Sequence, residues 1–278
     1  NSIDAAAKRI LIRFVLIDGL IRQLIVVDNG RGMTSDEIDA AMQLGHQKSR
    51  PTSALGHFGM GLKAASFSQA SRLTVLSRAR AQTAVGRRMN RESDADGFVV
   101  EELESKQVEL TLDSKWTDFA TDTGTIVRWD DIRTFPKSKD RAVTDAFAEA
   151  TVTKLRQHIG LTFHRLLEAR EVRIDIDVLD AEQGEAGIPF DVEPINPFGY
   201  IRTGVPGYPK TLVASTKSSR IPLTCHIWPA KSDSHQYKLA GMPVESTQGF
   251  YFYRNQRLLS AGGWAGVNHQ TKRRRLAR

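Results

Sequence analysis

The chain has 278 residues, of which 40% are hydrophobic and 26% charged, and its formal net charge is +7. This length is typical of two domains, and the composition excludes a disordered or fibrous protein. No apolar run approaches the roughly 20 residues of a membrane helix, and the start of the chain lacks a secretion-signal pattern. Cys225 is the only cysteine, which excludes an internal disulfide and a cysteine-rich metal site and favours a cytoplasmic location.

The positive charge is concentrated near the end of the chain. Residues 268–278 contain five basic residues and no acidic one, so the 39 basic residues fall to 34, against 32 acidic, when they are left out. A basic surface across the whole molecule is therefore not an argument for nucleic acid. The basic segment either contacts a phosphate or DNA, or is a solvated run of charge.

The first elements are predicted from turn and capping signals. Residues 1–7 are rich in alanine and are typical of the middle or end of a helix. The β-branched runs 10–16 and 21–27 are joined by Asp18-Gly19, which predicts a β-hairpin. Thr34 and Glu37 form a capping box before a helix that Gly45 would end.

The remaining elements predict an α+β protein. We expect a short helix at 62–68, strands at 73–77, 97–103, 108–112 and 125–129, a linker at 135–140, a helix at 142–167, and strands at 172–178, 249–253 and 257–260. The linker predicts two domains, residues 1–135 and 136–278.

The first of three short motifs is Asn1 with Asp4, one helical turn apart on one face. An amide oxygen and a carboxylate there suit a magnesium ion that keeps water and triphosphate oxygens. On its own, this pair usually marks a solvated helix face.

The second motif is the segment 28–33, which reads Asp-Asn-Gly-Arg-Gly-Met and follows an apolar strand. The Asp28 carboxylate at a strand end can accept a hydrogen bond from an exocyclic amine such as that of adenine. Gly30 and Gly32 would let the backbone approach a flat base. Taken singly, the same residues are ideal for a tight turn.

The third motif has glycines at 56, 59 and 61, after a polar loop and before a helix. Glycine-rich backbone opening into a helix presents several N–H donors to phosphate. Its spacing differs from that of the P-loop and of the dinucleotide fingerprint. A flexible connector is the alternative interpretation of this motif alone.

Together and in this order, the motifs resemble those of the GHKL ATPases, which include gyrase, the heat-shock chaperone ATPases, histidine kinases and MutL. Gly124-Thr125 resembles a fourth box, in which the threonine supports the adenine-binding carboxylate. Residues 44–49 with 55–63 are most similar to Microrchidia (MORC) ATPases and their bacterial relatives. The resemblance implies a Bergerat-type ATP-binding α/β sandwich followed by a β-α-β transducer domain of the MutL and gyrase type.

The resemblance also implies ATP and Mg²⁺ as ligands, with Asn1 on the metal. The residues it assigns to the nucleotide are Asn1, Asp4, Asp28, Gly30, Gly32, Met33, Lys48, Gly56, His57, Phe58, Gly59, Met60, Gly61, Leu62, Lys63 and Thr125. The general base of the family is a Glu one helical turn before the first-motif Asn, a position that would precede Asn1.

The second half carries a weaker resemblance to the transducer. Residues 249–258 resemble its strand–turn–strand. Gln270-Thr271-Lys272 resembles the loop by which the gyrase transducer places a lysine at the γ-phosphate, so Lys272 is a candidate catalytic residue. A solvated or DNA-contacting run is the competing interpretation.

The resemblance predicts an ATPase that dimerises around ATP and acts as a clamp on DNA, without a membrane partner. A heat-shock-type chaperone shares the ATP site but would bind unfolded clients. A histidine kinase would need a phospho-acceptor helix before the ATPase domain. A non-hydrolysing nucleotide sensor is the best hypothesis if the upstream Glu is missing.

Overall fold

The computed structural model describes residues 1–43, 61–91, 98–114, 117–138, 140–215, 219–229, 232 and 234–266. The chain forms two compact units, one of residues 1–153 with 170–192 and one of residues 154–169 with 193–278. The predicted domains, 1–135 and 136–278, remain a prediction.

The described residues form five α-helices and thirteen strands, besides three short 3-10 helices at His235–Tyr237, Leu239–Gly241 and Val244–Thr247. In chain order they are β1 Arg9–Ile17, β2 Leu20–Asp28, α1 Ser35–Met42, α2 Gly61–Gln69, β3 Ala70–Arg78, β4 Val85–Arg91, β5 Phe98–Leu103, α3 Ser105–Asp113, β6 Gly124–Ile132, α4 Arg141–Thr162, α5 His164–Glu168, β7 Arg173–Asp180, β8 Glu185–Ala186, β9 Phe190–Asp191, β10 Lys210–Ser215, β11 Arg220–Cys225, β12 Tyr251–Arg254 and β13 Arg257–Ala261. The predicted α+β class is confirmed.

The first unit is built on one large sheet with the order β5-β4-β3-β6-β2-β1-β7-β8, and β9 also pairs with β7. Its pairs are antiparallel except that β1 and β7 run parallel. The predicted hairpin of β1 and β2 turns at Asp18 and Gly19, both with positive φ, as in a type I′ turn. The capping box of Thr34 and Glu37 is also confirmed.

Alternation along the strands gives this sheet two distinct faces. One face carries Leu73 and Val75 of β3, which pack with Ile38 of α1 and Phe67 of α2. The other face carries Leu76 of the same strand, packed against a cluster that includes two buried residues of α3. We call these the α1/α2 face and the α3 face.

In this region one sequence prediction is wrong and one strand was not predicted. Residues 108–112 form part of helix α3 rather than a strand, because Val108 and Leu112 lie one helical turn apart and are both buried, whereas Leu110 is 67% exposed. Over only five residues, apolar residues at 108, 110 and 112 are compatible both with the two-residue period of a strand and with the 3.6-residue period of a helix. β4 was not predicted, since its three arginines and an asparagine hide the strand pattern.

The predicted helix at 142–167 is interrupted at Phe163, giving α4 and α5. The His164 side chain bonds through Nδ1 to the Leu161 carbonyl at 2.7 Å, an acceptor that a continuous helix uses for its backbone. The side chain therefore competes with helical hydrogen bonding at the break.

In the second unit, Leu161, Leu239 and Leu258 form a small core. Trp228 is fully buried, and its indole Nε1 donates to the Pro197 carbonyl at 2.9 Å. The predicted strands near 249–253 and 257–260 form the hairpin of β12 and β13, which turns at two residues with positive φ.

Candidate functional site

Residues 1–7 form a single helical turn with the geometry of a helix end. The Ala5 N–H bonds to the Asn1 carbonyl at 2.9 Å. The Ala6 N–H then bonds to Ile3, and the Ala7 N–H bonds to Ser2, while Ala6 has a φ of 58°. These are the hydrogen bonds of a Schellman motif, which closes helices. The prediction of a helix end here agrees with this turn.

Asp28 ends β2 with a buried carboxylate that is engaged at both oxygens. Ser2 Oγ donates to Oδ2 at 2.7 Å, and the Gly30 N–H donates to Oδ1 at 2.9 Å. Burial raises the pKa of this carboxyl above its ordinary value, and the hydrogen bonds from Ser2 and Gly30 partly oppose that rise. Each oxygen has a second lone pair, so the group keeps acceptor capacity for an incoming N–H.

A row of polar side chains runs from Asp28 across the neighbouring strands. Thr125 of β6 pairs with Asp28 on one side and with Ser77 of β3 on the other. The Thr125 and Ser77 hydroxyls lie 2.9 Å apart. Ser77 Oγ also donates to the Gly124 carbonyl and accepts from the Met33 N–H, both at 2.9 Å. The row therefore links three strands and the 28–33 segment through buried hydrogen bonds.

The glycines of the second motif serve close packing within the protein. Gly32 has a φ of +70°, and a Cβ there would collide with the Arg78 backbone. A Cβ on Gly30 would press on the Ala5 backbone, and one on Gly124 would collide with the Asp28 carbonyl. The sequence interpretation assigned Gly30 and Gly32 to a base. The structure shows that both positions must also lack a Cβ for another reason. The helix end at Ala5 and the end of β3 at Arg78 pack directly against the turn after Asp28.

Residues around the third motif are described only in part. Gly61 begins α2 and is exposed, and Leu62 and Met33 pack beside the core of the α1/α2 face. Lys63 is 2% exposed, and its ammonium group donates to the carbonyls of Ala41 and Gln43 at the end of α1. A cation at a helix C-terminus stabilises the last carbonyls. The contacts of Lys63 thus tie the start of α2 to the end of α1.

Several predicted site residues lie outside the described residues. They are Lys48, Gly56, His57, Phe58, Gly59, Met60 and Lys272. Asn1 and Asp4 are described and exposed.

The first motif supplies oxygen atoms, which are the type of ligand that magnesium prefers. Mg²⁺ is commonly held by one or two protein oxygens, with the remaining positions filled by nucleotide phosphates and water. Asn1 supplies an amide oxygen and Asp4 a carboxylate, both at an exposed helix end. In the part of the chain that the structure describes, no group of three or more His, Cys, Asp and Glu side chains could hold a metal by itself.

In the second unit, residues of the 249–258 segment and of α5 surround the buried His164. Tyr253 Oη lies 3.2 Å from His164 Nε2, and Arg165 stacks over the Tyr253 ring with its Cζ 3.6 Å from the centroid. Burial lowers the pKa of His164 and raises that of Tyr253. The neutral forms of both side chains are therefore favoured, as expected of a packed core rather than of an exposed ligand site.

Comparison with protein families supports the resemblance in the first half of the chain. Residues 1–123 match the family model described as histidine kinase-, DNA gyrase B- and HSP90-like ATPase. This match covers the part of the chain that carries the GHKL-like motifs, and it supports an ATPase-family assignment for that part. The specific resemblance to MORC ATPases stays a prediction.

Among solved structures, the chain is similar to the Aquifex aeolicus MutL ATPase domain complexed with ADP, at 15% identity and a TM-score of 0.34, over 69% of this chain and 60% of that one. It is also similar to the N-terminal domain of a DNA repair protein, at 14% identity and a TM-score of 0.38, over 70% of this chain and 50% of that one. No curated protein matches the chain. None of the described helices is both long and apolar enough to cross a membrane.

Sequence reasoning missed two residues of the Asp28 site, Ser2 and Ser77. Ser2 lies beside Asn1 in the first motif, and Ser77 ends a predicted strand. Only the register of β3 against β6 brings Ser77 to Thr125, and no local pattern encodes that pairing.

Proposed function

We propose that this chain binds ATP with the adenine at Asp28 and hydrolyses it with magnesium. The observation that carries the proposal is the buried Asp28 carboxylate at the end of β2, held by Ser2 and Gly30. It lies within residues 1–123, the segment that matches the ATPase family model.

Asp28 would recognise the exocyclic amine of adenine. A buried carboxylate that is already oriented by two donors loses little freedom on accepting a third N–H. A base without that N–H would leave a buried acceptor unpaired, which is the usual source of strong discrimination. The site therefore favours adenine over bases with a carbonyl at the same position.

Thr125 and Ser77 would act as positioning residues. Their hydroxyls connect β6 and β3 to the N–H of Met33, and Met33 is the last residue of the 28–33 segment. That network fixes the turn after Asp28 without contacting the base. This agrees with the supporting role that the resemblance gives to Thr125.

The triphosphate would extend from Asp28 toward the first and third motifs. We assign Asn1 and Asp4 to the magnesium ion, which would neutralise phosphate charge when bound. Lys48 and the residues 56–62 would supply backbone and side-chain donors to phosphate. Lys63 would position the ends of α1 and α2 through its contacts with Ala41 and Gln43.

Hydrolysis would proceed by attack of water on the γ-phosphate. The water oxygen would bond to the γ-phosphorus and lose a proton to the general base as the bond from that phosphorus to the bridging oxygen breaks, giving ADP and inorganic phosphate. The family places the general base one helical turn before Asn1, and Lys272 would stabilise charge on the γ-phosphate.

The wider role we propose is an ATP-gated dimeric clamp on DNA, by analogy with MORC proteins and MutL. The chain spans 60% and 50% of the two solved structures named above. The dimer, the DNA partner and the clamp therefore belong to the proposal alone. A chaperone or a non-hydrolysing sensor would share the nucleotide site.

Calorimetry of ATP binding with magnesium tests the site. We expect Asp28→Ala to abolish binding, whereas Asp36→Ala, an exposed aspartate in the first turn of α1, should bind as the parent does. Unchanged affinity in Asp28→Ala would refute the assignment of adenine to Asp28. Loss of binding in both variants would show a general charge effect instead.

ATP turnover separates the candidate functions. The clamp hypothesis predicts that DNA stimulates ATP hydrolysis. It also predicts that added salt reduces this stimulation, because DNA binding releases counterions. Turnover indifferent to DNA at every salt concentration contradicts the clamp. Binding without turnover would favour a nucleotide sensor.

A further inference from the structure

A second polar row crosses the same sheet on its α3 face. Thr74 of β3 pairs in register with Arg88 of β4 on one side and with Arg128 of β6 on the other. Arg88 pairs in turn with Glu101 of β5. Neighbouring side chains in such a row lie roughly 5 Å apart at Cβ. The row therefore runs in the order Glu101, Arg88, Thr74, Arg128. The Thr74 hydroxyl has one arginine on each side.

This row lies on the opposite face from Asp28. Thr74 and Ser77 are three residues apart on one regular strand, so their side chains point to opposite sides. Ser77 joins the Asp28 row, whereas Thr74 faces α3. The two rows are thus separated by the thickness of the sheet.

The row borders a cavity of about 70 Å³ between the sheet and α3. Its lining residues are Thr74, Leu76, Arg88, Leu103, Gln107, Val108, Thr111 and Arg128. One enclosed water needs about 10–15 Å³ by this measure, so the cavity exceeds the needs of a single water. It is large enough for a small polyatomic ligand.

Two buried polar atoms at this cavity lack a partner. Thr74 is 1% exposed, and among the described residues nothing hydrogen-bonds to its hydroxyl. The Arg88 Nε is likewise buried without a partner in the described part of the chain. Buried polar groups are nearly always paired, so orphaned donors beside a cavity point to a missing ligand.

The chemistry of the lining selects an acceptor-rich ligand. Guanidinium groups only donate, and their fork matches the oxygens of a carboxylate or a phosphate. Arg88 contacts Glu101 at 3.3 Å and Arg128 contacts Asp130 at 3.1 Å, so an acidic side chain orients each guanidinium group. The Gln107 side chain on α3 adds a further polar group to the lining.

We propose that this cavity is a binding site for a small oxyanion, held by Arg88, Arg128 and the Thr74 hydroxyl. The site is separate from the proposed nucleotide site and does not depend on it. Inorganic phosphate and acetate share the required chemistry and are the two probes. A tetrahedral phosphate offers more acceptors to three converging donors, so we expect it to bind more tightly than acetate.

Methyl-labelled NMR spectra of the chain locate binding directly, because Leu76, Leu103 and Val108 line the cavity. Titration with phosphate should shift these methyl signals, with sodium chloride of equal ionic strength as the reference. Arg128→Met should weaken the phosphate affinity read from these signals by about tenfold or more. Arg72→Met is the matched control, since Arg72 lies on the same face two residues before Thr74 and outside the cavity lining.

Thr74→Val keeps the side-chain shape and removes only the hydroxyl, so it tests the site if Arg128→Met fails to fold. We expect phosphate binding to weaken in Thr74→Val and to persist in Arg72→Met. The absence of methyl shifts with both probes overturns the proposal. So do equal affinities in the parent, Arg128→Met and Thr74→Val. Neither result bears on Asp28, whose test is ATP binding.

Discussion

Ser77 and Thr74 are buried hydroxyls on the same strand with opposite hydrogen-bonding situations. Ser77 Oγ contacts the Gly124 carbonyl, the Thr125 hydroxyl and the Met33 N–H, all at 2.9 Å. Thr74 Oγ1 has no partner among the residues described. The two side chains are 0% and 1% exposed, so burial does not distinguish them.

The difference shows two ways in which a sheet can carry polar groups. On the α1/α2 face, the protein itself completes the hydrogen bonds, which fixes the turn after Asp28 before any ligand arrives. On the α3 face, the Thr74 hydroxyl and the Arg88 Nε lie at a cavity without a partner in the described residues, so a bound ligand would have to complete their hydrogen bonds. A satisfied network rigidifies a site, whereas an unsatisfied one is costly until it is filled.

The largest expected effect is at the carboxylate that the Ser77 network supports. Asp28→Asn should lower ATP affinity by roughly 100-fold, because it replaces a charged acceptor with a neutral amide. The free energy of unfolding at pH 7 should be unchanged or higher, because a buried charge is removed. Calorimetry and urea unfolding measure the two quantities on the same samples. A variant that loses affinity because it unfolds would contradict this separation of binding from stability.

Ser77→Ala should have the next largest effect. It leaves the Gly124 carbonyl and the Met33 N–H without their partner and should lower the free energy of unfolding by about 1–3 kcal/mol. Ser68→Ala, at an exposed serine of α2, serves as the control and should change stability little. Equal urea midpoints for all three proteins would show that the Ser77 network does not stabilise the fold.

The raised pKa of Asp28 predicts a pH dependence for both stability and binding. The folded state holds the Asp28 proton more tightly than the unfolded state does, so stability falls as pH rises from the ordinary value of 3.8 through the folded pKa. ATP affinity should move the other way, rising over the same window as the carboxylate forms. Asp28→Asn should flatten both profiles, and identical profiles in parent and variant would assign the titration to another group.

Local patterns predicted the parts of the site that lie close together in sequence. The hairpin, the capping box and the Asp28 turn were found because Asp18-Gly19, Thr34 with Glu37, and the 28–33 segment each carry a signal within a few residues. Neither polar row could be found this way. Each depends on which strands are neighbours and in what register, and that is decided by packing across the whole sheet.

The α3 face was hidden for a further reason. Its helix was predicted as a strand, since Val108, Leu110 and Leu112 alternate as they would in a sheet. Without that helix the cavity has no second wall, and β4, which supplies Arg88, had too many arginines to suggest a strand. The arginines of β4 therefore concealed, in the sequence, the strand that places Arg88 at the cavity.

The smallest expected effect, in stability, is at Thr74 itself. Thr74→Val in phosphate-free buffer should leave the free energy of unfolding unchanged or raise it by up to about 1 kcal/mol, because an unsatisfied buried hydroxyl is replaced by a methyl group. Urea unfolding of this variant beside Ser77→Ala measures the contrast, since the two changes remove one hydroxyl each from the same strand. A loss in Thr74→Val as large as that in Ser77→Ala would mean that the Thr74 hydroxyl already has a partner, and the two faces would then be alike. Added phosphate should raise the unfolding midpoint of the parent more than that of Thr74→Val, because a ligand stabilises the folded state in proportion to how tightly it binds there.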